Sequence, residues 1–359
     1  MKSRILTKTI KKAIKTFPAV VITGPRQSGK TTLLKQEFGK THTYVSLEDI
    51  DKRLRAKEDP LAFLEQYKPP VILDEIQYVP ELLSYIKTRI DEDRTPGHWL
   101  LSGSQNFVLM ENVSQSLAGR AAILTLLPFS LAEQFEYTES SLNVHDWLVS
   151  KKKNPTGNKK LDIADWILRG NYPELVSNPS VDRKLWCNSY IATYLERDVR
   201  NMTQVGDLNQ FERFLKMCAI QTGQILNLSE LARDIGISAP TAKQWLSLLE
   251  ASYQVFLLYP YFNNHGKRII KSPKLYFSDT ALATFLLGIH EAETLYQSPY
   301  FGRIFETAII NDCRKRFLNF GDNPSLFYLK THNGLEVDLV IEESQKVFLF
   351  ELKSATTIT

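Results

Sequence analysis

Cysteine is scarce in this chain: Cys187, Cys218 and Cys313 are widely spaced and odd in number, so a disulfide framework is excluded and reduced thiols in a cytoplasmic protein are expected. The six histidines fall at no metal-ligand spacing with one another or with the cysteines. No apolar stretch is long enough to cross a bilayer, so no membrane partner is expected. Acidic residues are absent before Glu37, whereas Lys2, Arg4, Lys8, Lys11, Lys12 and Lys15 crowd the same segment. Ile5, Leu6, Ile10, Ile14 and Phe17 recur there at helical spacing without the unbroken apolar core of a signal peptide. The segment reads as a basic amphipathic helix packed beside the first domain.

What remains is the composition of a globular protein, with 43% hydrophobic and 23% charged residues and a formal charge of only +4. A chain of 359 residues exceeds one ordinary core, so several domains are expected. Up to about residue 150 the pattern alternates strand and helix, with strands predicted at Ala19–Thr23, Thr43–Leu47, Val71–Glu75, Trp99–Gly103 and Ala121–Leu127. Such alternation predicts an α/β fold with a mostly parallel sheet. Residues 151–160 lose all hydrophobic pattern and read as a linker, the start of a helical segment over 151–216. Residues 217–290 read as a winged helix, and residues 291–359 as a helix followed by strands.

The first strand runs into Gly24-Pro25-Arg26-Gln27-Ser28-Gly29-Lys30-Thr31, a G-x-x-x-x-G-K-T phosphate loop, with Thr32 continuing into a helix. Glycines let the backbone wrap an anion, and the helix N-terminus aims N–H groups at it. Lys30 is the residue to reach the β- and γ-phosphates, and Thr31 the hydroxyl to hold Mg²⁺. The motif predicts ATP or GTP as ligand. The strand Val71-Ile72-Leu73 ends in Asp74 and Glu75, which divide the remaining tasks: Asp74 for the Mg²⁺ shell, Glu75 for the attacking water. Ser104 ends the next strand and is expected to sense the γ-phosphate, while Arg120 is a candidate arginine finger, which in trans requires a homo-oligomer.

Two further constellations lie downstream. Leu228–Ile235, Gly236 and Ser238 with Pro240 read as helix, glycine turn and capped second helix. Thr241, Lys243, Gln244 and Ser247 fall on its exposed face, and Lys267, Arg268, Lys271 and Lys274 form a basic wing, together a candidate surface for duplex DNA. Glu306 on a helix, Asp338 opening a strand, and Glu351 with Lys353 closing the next one form a D…E-x-K pattern suited to Mg²⁺ and a phosphodiester. This pattern resembles the core of restriction-endonuclease-like nucleases. Only six residues follow Lys353, fewer than normally flank that core, so an incomplete last domain is expected.

The phosphate loop, Leu73-Asp74-Glu75-Ile76-Gln77-Tyr78-Val79-Pro80, Leu101-Ser102-Gly103-Ser104-Gln105 and Ser116-Leu117-Ala118-Gly119-Arg120 together resemble the prokaryotic ATPases of the AAA superfamily that carry a C-terminal domain of unknown function. The resemblance covers essentially the whole chain. It implies an additional-strand, catalytic-glutamate P-loop fold, then a winged helix, then a restriction-endonuclease-like domain, and it favours ATP as the nucleotide. The expected function is an ATP-driven switch acting on the C-terminal half, with an ATP-gated DNA-binding regulator or nuclease as the alternative.

Overall fold

The structure is a computed structural model that describes residues 2–104, 116–136, 144–149, 161–194, 199, 207–262, 272–331, 334–343 and 345–354. The linker expected at 151–160 and the wing residues Lys267, Arg268 and Lys271 lie outside the described residues. The chain divides into two units: Met1–Phe129 with Phe317–Asn323, and Ser130–Arg316 with Pro324–Thr359.

In the first unit the strands β1 (Ala19–Thr23), β2 (Thr43–Ser46), β3 (Val71–Asp74), β4 (Trp99–Ser102) and β5 (Ala121–Thr125) form one sheet of order β2-β3-β4-β1-β5. Every pairing is parallel. All four residues of β3 and β4 and all five of β1 are buried, which is why they read as unbroken apolar runs. Alternate residues serve opposite faces. Ala19 and Val21 join a core built with helices α3 (Ile50–Glu58), α4 (Pro60–Gln66) and α5 (Leu82–Glu92). Val20 and Ile22 join the core under helices α1 (Leu6–Ala13) and α2 (Lys30–Phe38). At roughly 1.5–3 kcal/mol per buried aliphatic side chain, the sheet interior dominates the cohesion of this unit. The α1 helix predicted from the basic N-terminus buries Leu6, Ile10 and Ala13 in that second core. Strand β4, later in sequence than β1 and β3, lies between them in space.

Among the described residues, four helices follow the linker segment before residue 221: Ile163–Arg169, Pro173–Ser177, Arg183–Tyr194 and Leu208–Ile220. The helix–turn–helix follows as expected, with helices Leu228–Ile235 and Ala239–Ala251. Gly236 ends the first in a left-handed conformation, and the Ser238 side chain caps the second by accepting from Thr241 N. Ala242, Trp245, Leu246 and Leu249 bury the predicted apolar stripe.

One six-stranded sheet then spans the segments read separately as wing and C-terminal domain. Its order is β11-β10-β9-β7-β8-β6, with β6 at Gln224–Ile225, β7 at Val255–Pro260, β8 at Lys274–Phe277, β9 at Leu326–Lys330, β10 at Glu336–Glu343 and β11 at Lys346–Phe350. The junction is the parallel pairing of β7 with β9, Tyr259 opposite Phe327. The boundary expected at 290/291 therefore falls between two parts of one sheet. Between β8 and β9 runs the long helix Phe301–Phe320, whose last residues Phe317–Phe320 belong to the first unit.

Candidate nucleotide site

The loop between β1 and α2 is built around conformations that few residues tolerate. Gly24 has φ +142°, and a Cβ there would overlap the Leu126 carbonyl oxygen, so no side chain fits. Gly29 precedes α2 in a left-handed conformation (φ 92°). Lys30 is 4% exposed and its ammonium donates to the Gly24 and Pro25 carbonyls at 2.9 and 2.8 Å, folding over the loop it terminates. Ser28 is fully buried, and its Oγ has no hydrogen-bond partner among the described residues. Arg26 is half-buried, while Gln27 and Thr32 are exposed. Arg4 braces the loop from outside: its guanidinium donates to the Ser28 carbonyl at 2.9 Å and the Leu127 carbonyl at 2.5 Å, and stacks over Phe129 at 4.6 Å.

The carboxylates arrive at the same edge of the sheet because β1, β3 and β4 are parallel and end together. Asp74, 2% exposed, accepts from Thr31 Oγ1 at 2.7 Å through Oδ2 and from Ser102 Oγ through Oδ1. The Tyr44 hydroxyl also donates to Oδ2, at 2.7 Å. Burial first, and then the bond to Asp74, push the Tyr44 phenol well above its ordinary range. The Lys35 ammonium lies 4.0 Å from the centre of the Tyr44 ring. Glu75 leaves the strand with φ 59°, a left-handed turn that directs it away from Asp74's network. Its Oε2 accepts from Ser104 Oγ at 3.1 Å and from Gln77 Nε2, and Gln77 Nε2 also reaches Ser104 Oγ at 3.3 Å.

Lys30, Thr31, Asp74, Glu75 and Ser104 are thus grouped at the C-terminal ends of the parallel strands, where open α/β sheets place ligands. Tyr44 and Gln77 were not singled out from sequence. The signal for Tyr44 is its position: two residues before Ser46, which pairs with Asp74, and so on the same face of β2. The donor set fits a nucleotide with Mg²⁺, since a buried hydroxyl without a partner, a loop closed to side chains and a hydroxyl–carboxylate pair coincide.

Arg120 lies elsewhere. It immediately precedes β5, whose Ala121 pairs with Ala19 at the start of β1, so it stands at the N-terminal edge, about 17 Å of strand from the phosphate loop. Its guanidinium forks onto Asp91 at 2.7 and 2.9 Å. In its own chain Arg120 does not meet the nucleotide site.

The C-terminal constellation departs further from expectation. Glu306 accepts from Lys274 Nζ at 3.2 Å and from the Tyr276 hydroxyl, and Lys274 also pairs with Glu336 at 3.0 Å. Asp338 accepts from Leu352 N at 2.7 Å and so extends the β10–β11 ladder. Glu351 and Lys353 pair with each other at 2.6 Å, both largely open to solvent. Among the described residues no group of three or more His, Cys, Asp or Glu is placed to hold a metal ion. Lys274, expected in the wing as a phosphate contact, is instead buried on β8 between two carboxylates, a position set by the shared sheet. On the helix–turn–helix, Lys243, Gln244 and Ser247 are exposed, whereas Thr241 is half-buried and tied to Ser238 at 2.7 Å.

Lys274 carries a consequence for stability. Burial raises the Glu306 carboxyl above its ordinary 4.5, against the opposing pull of Lys274. Burial alone lowers Lys274, but Glu306 and Glu336 outweigh it and raise the ammonium. A carboxyl raised in the fold contributes its stability below the ordinary value and loses it as pH rises through the folded value. Lys274→Met leaves Glu306 and Glu336 without their shared cation, an expected loss of about 3–5 kcal/mol near neutral pH. That deficit shrinks as pH falls and the two carboxyls protonate, the raised Glu306 before the lowered Glu336. Urea denaturation of both proteins across this range checks it; a deficit independent of pH is the contrary result.

Comparisons with known proteins bear on the whole arrangement. A model described as an AAA domain matches residues 16–135. Two models described as domains of unknown function, DUF8612 and DUF4143, match residues 160–293 and 301–359. Uncharacterized proteins of Mycobacterium bovis and Mycobacterium tuberculosis are each 30% identical over 351 residues, 97% of this chain and 73% of theirs. A Walker-type ATPase of Pyrococcus abyssi is similar in structure, with a TM-score of 0.50 at 16% identity over 79% of this chain and 94% of that one. Among the described residues no helix is long and apolar enough to cross a membrane. With 73% of the mycobacterial proteins covered at 30% identity and an AAA domain matched over the phosphate loop and Asp74-Glu75, the chain belongs to their family, one built on a P-loop, AAA-type ATPase domain.

Proposed function

We propose that the protein is a Mg²⁺-dependent ATPase that works as a switch, its nucleotide state regulating the module formed by residues 160–359. The observation that carries this reading is the contact of Thr31 with Asp74, with Glu75 tied to Ser104 beside it. Lys30 and the loop amides hold the β- and γ-phosphates, and Thr31 and Asp74 hold Mg²⁺, which neutralises phosphate charge when bound. Glu75 orients the water whose oxygen bonds to the γ-phosphorus as the bond to the bridging oxygen breaks. ADP leaves with the electron pair, and the water's proton passes through Glu75 to solvent. Ser104, bonded to Glu75 at the tip of β4, is the coupling element between γ-phosphate and the rest of the chain. Phosphate release by the purified protein with Mg²⁺ and with EDTA, beside Lys30→Ala, tests the reading; equal release in all three sinks it.

Duplex DNA as the target of the switch is favoured by one observation, the exposure of Lys243, Gln244 and Ser247 along one helix face. Lys243→Glu is expected to weaken DNA binding several-fold at low salt and to flatten its salt dependence. Fluorescence anisotropy with and without ATP measures both, and no binding in either nucleotide state removes DNA as the target. Cleavage of DNA is the weaker reading, because Lys274 engages Glu306 and because Glu351 faces Lys353.

A further inference from the structure

We infer that Gln77 is a positioning residue for hydrolysis, an inference that rests on the ATPase reading. Gln77 sits in the short 3₁₀ turn Ile76–Tyr78 that follows Glu75. Its amide nitrogen donates to Glu75 Oε2 and lies 3.3 Å from Ser104 Oγ, so one side chain ties the carboxylate to the polar tip of the adjacent strand. These partners fix the amide's orientation: a carboxylate oxygen accepts only, so the nitrogen must face it. The carbonyl oxygen of the same amide is buried and has no hydrogen-bond partner among the described residues. Leaving a buried acceptor unsatisfied is costly, so its retention beside Glu75 needs an account.

The geometry supplies one. Both Gln77 and Ser104 bond to Oε2 of Glu75, which anchors the carboxylate by one oxygen and leaves Oε1 to meet the water. Glu75 hangs from a left-handed backbone turn with φ 59°, so without such an anchor its side chain has little to hold its aim. Gln77 and Ser104 also bond to each other, and any movement of Ser104 is transmitted to Glu75 through the amide as well as directly. Glu75, Gln77 and Ser104 therefore act as one unit, in which Gln77 sets the direction of the base.

The test is a kinetic comparison in the full chain. Gln77→Ala and Gln77→Glu, the second keeping length but losing the donor, are expected to lower kcat about tenfold or more, while affinity for a non-hydrolysable ATP analogue stays within about twofold. Added to Glu75→Gln, the Gln77→Ala change is expected to cost nothing further, because it acts through that carboxylate. A merely structural role would lower affinity or thermal stability and would multiply with Glu75→Gln. Unchanged kcat in both Gln77 variants, or multiplicative loss in the double variant, overturns the inference while the ATPase reading stands. Wild-type hydrolysis no faster than Lys30→Ala overturns both.

Discussion

Lys30→Ala is expected to reduce ATP hydrolysis by at least about 10²–10³-fold, the scale on which removal of one preorganised donor acts on a developing oxyanion. The ammonium already bonds to the Gly24 and Pro25 carbonyls, so its loss also leaves two buried loop carbonyls without their donor. Nucleotide affinity should therefore fall together with turnover. Glu75→Gln is expected to separate the two: its carboxylate contacts Gln77 and Ser104 and not the loop, so binding persists while turnover drops about 10²-fold. Titration of a fluorescent ATP analogue beside single-turnover hydrolysis checks the split. Should Glu75→Gln bind as poorly as Lys30→Ala, the division of labour between loop and strand is wrong.

A second large effect, on stability, is expected in the unit that holds Gly170. Gly170 ends the helix Ile163–Arg169 with φ +67°, and a Cβ there would collide with Asp279 Oδ1 and fall 2.7 Å from Ala281 Cβ. Asp279 has no room to yield. It is 2% exposed and accepts from the Asn171 backbone N–H, the Asn171 side-chain amide and the Ala281 backbone N–H at 2.9, 3.3 and 2.9 Å. Gly170→Ala must displace this carboxylate or the helix it caps, at an expected cost of about 3 kcal/mol or more. Gly288→Ala supplies the control. Gly288 has φ +73° but no atom within 4 Å of the place its methyl carbon would take, so only the left-handed penalty of about 1–2 kcal/mol applies. Equal denaturation midpoints for the two variants would mean that the Asp279 contact is not the source of the cost.

Strands β1, β3 and β4 were legible because burial on both faces writes an apolar run of four or five residues into the sequence. The phosphate loop and Asp74-Glu75 were legible because local geometry dictates their residue types. What escaped was set by pairing across distance. Tyr44 matters only because β2 lies beside β3 in the register that puts Ser46 opposite Asp74. Gln77 matters only because β4 brings Ser104 against the turn after Glu75. Lys274 reads as one more cation in a basic stretch until Glu306 and Glu336, on later elements, close around it. Arg120 is a different case: its place just before β5 already puts it at the edge away from the loop, once the strands are known to be parallel.

The pairing of β7 with β9 has a consequence for synthesis on the ribosome. Tyr259 and Phe327 are partners separated by most of the helix-rich segment between them, so the edge of β7 stays uncovered until residues beyond Lys330 have emerged. The ATPase unit waits as well, since Thr9 Oγ1 bonds to the Asn319 carbonyl at 2.8 Å and Phe317–Asn323 belong to that unit. A nascent chain halted after the AAA segment thus exposes surface that the late segment covers, and one halted between β8 and β9 presents a bare strand edge to its neighbours. Expression of the isolated segments should yield aggregates where the joined chain yields native protein, and chaperone demand should peak before residue 330 is released.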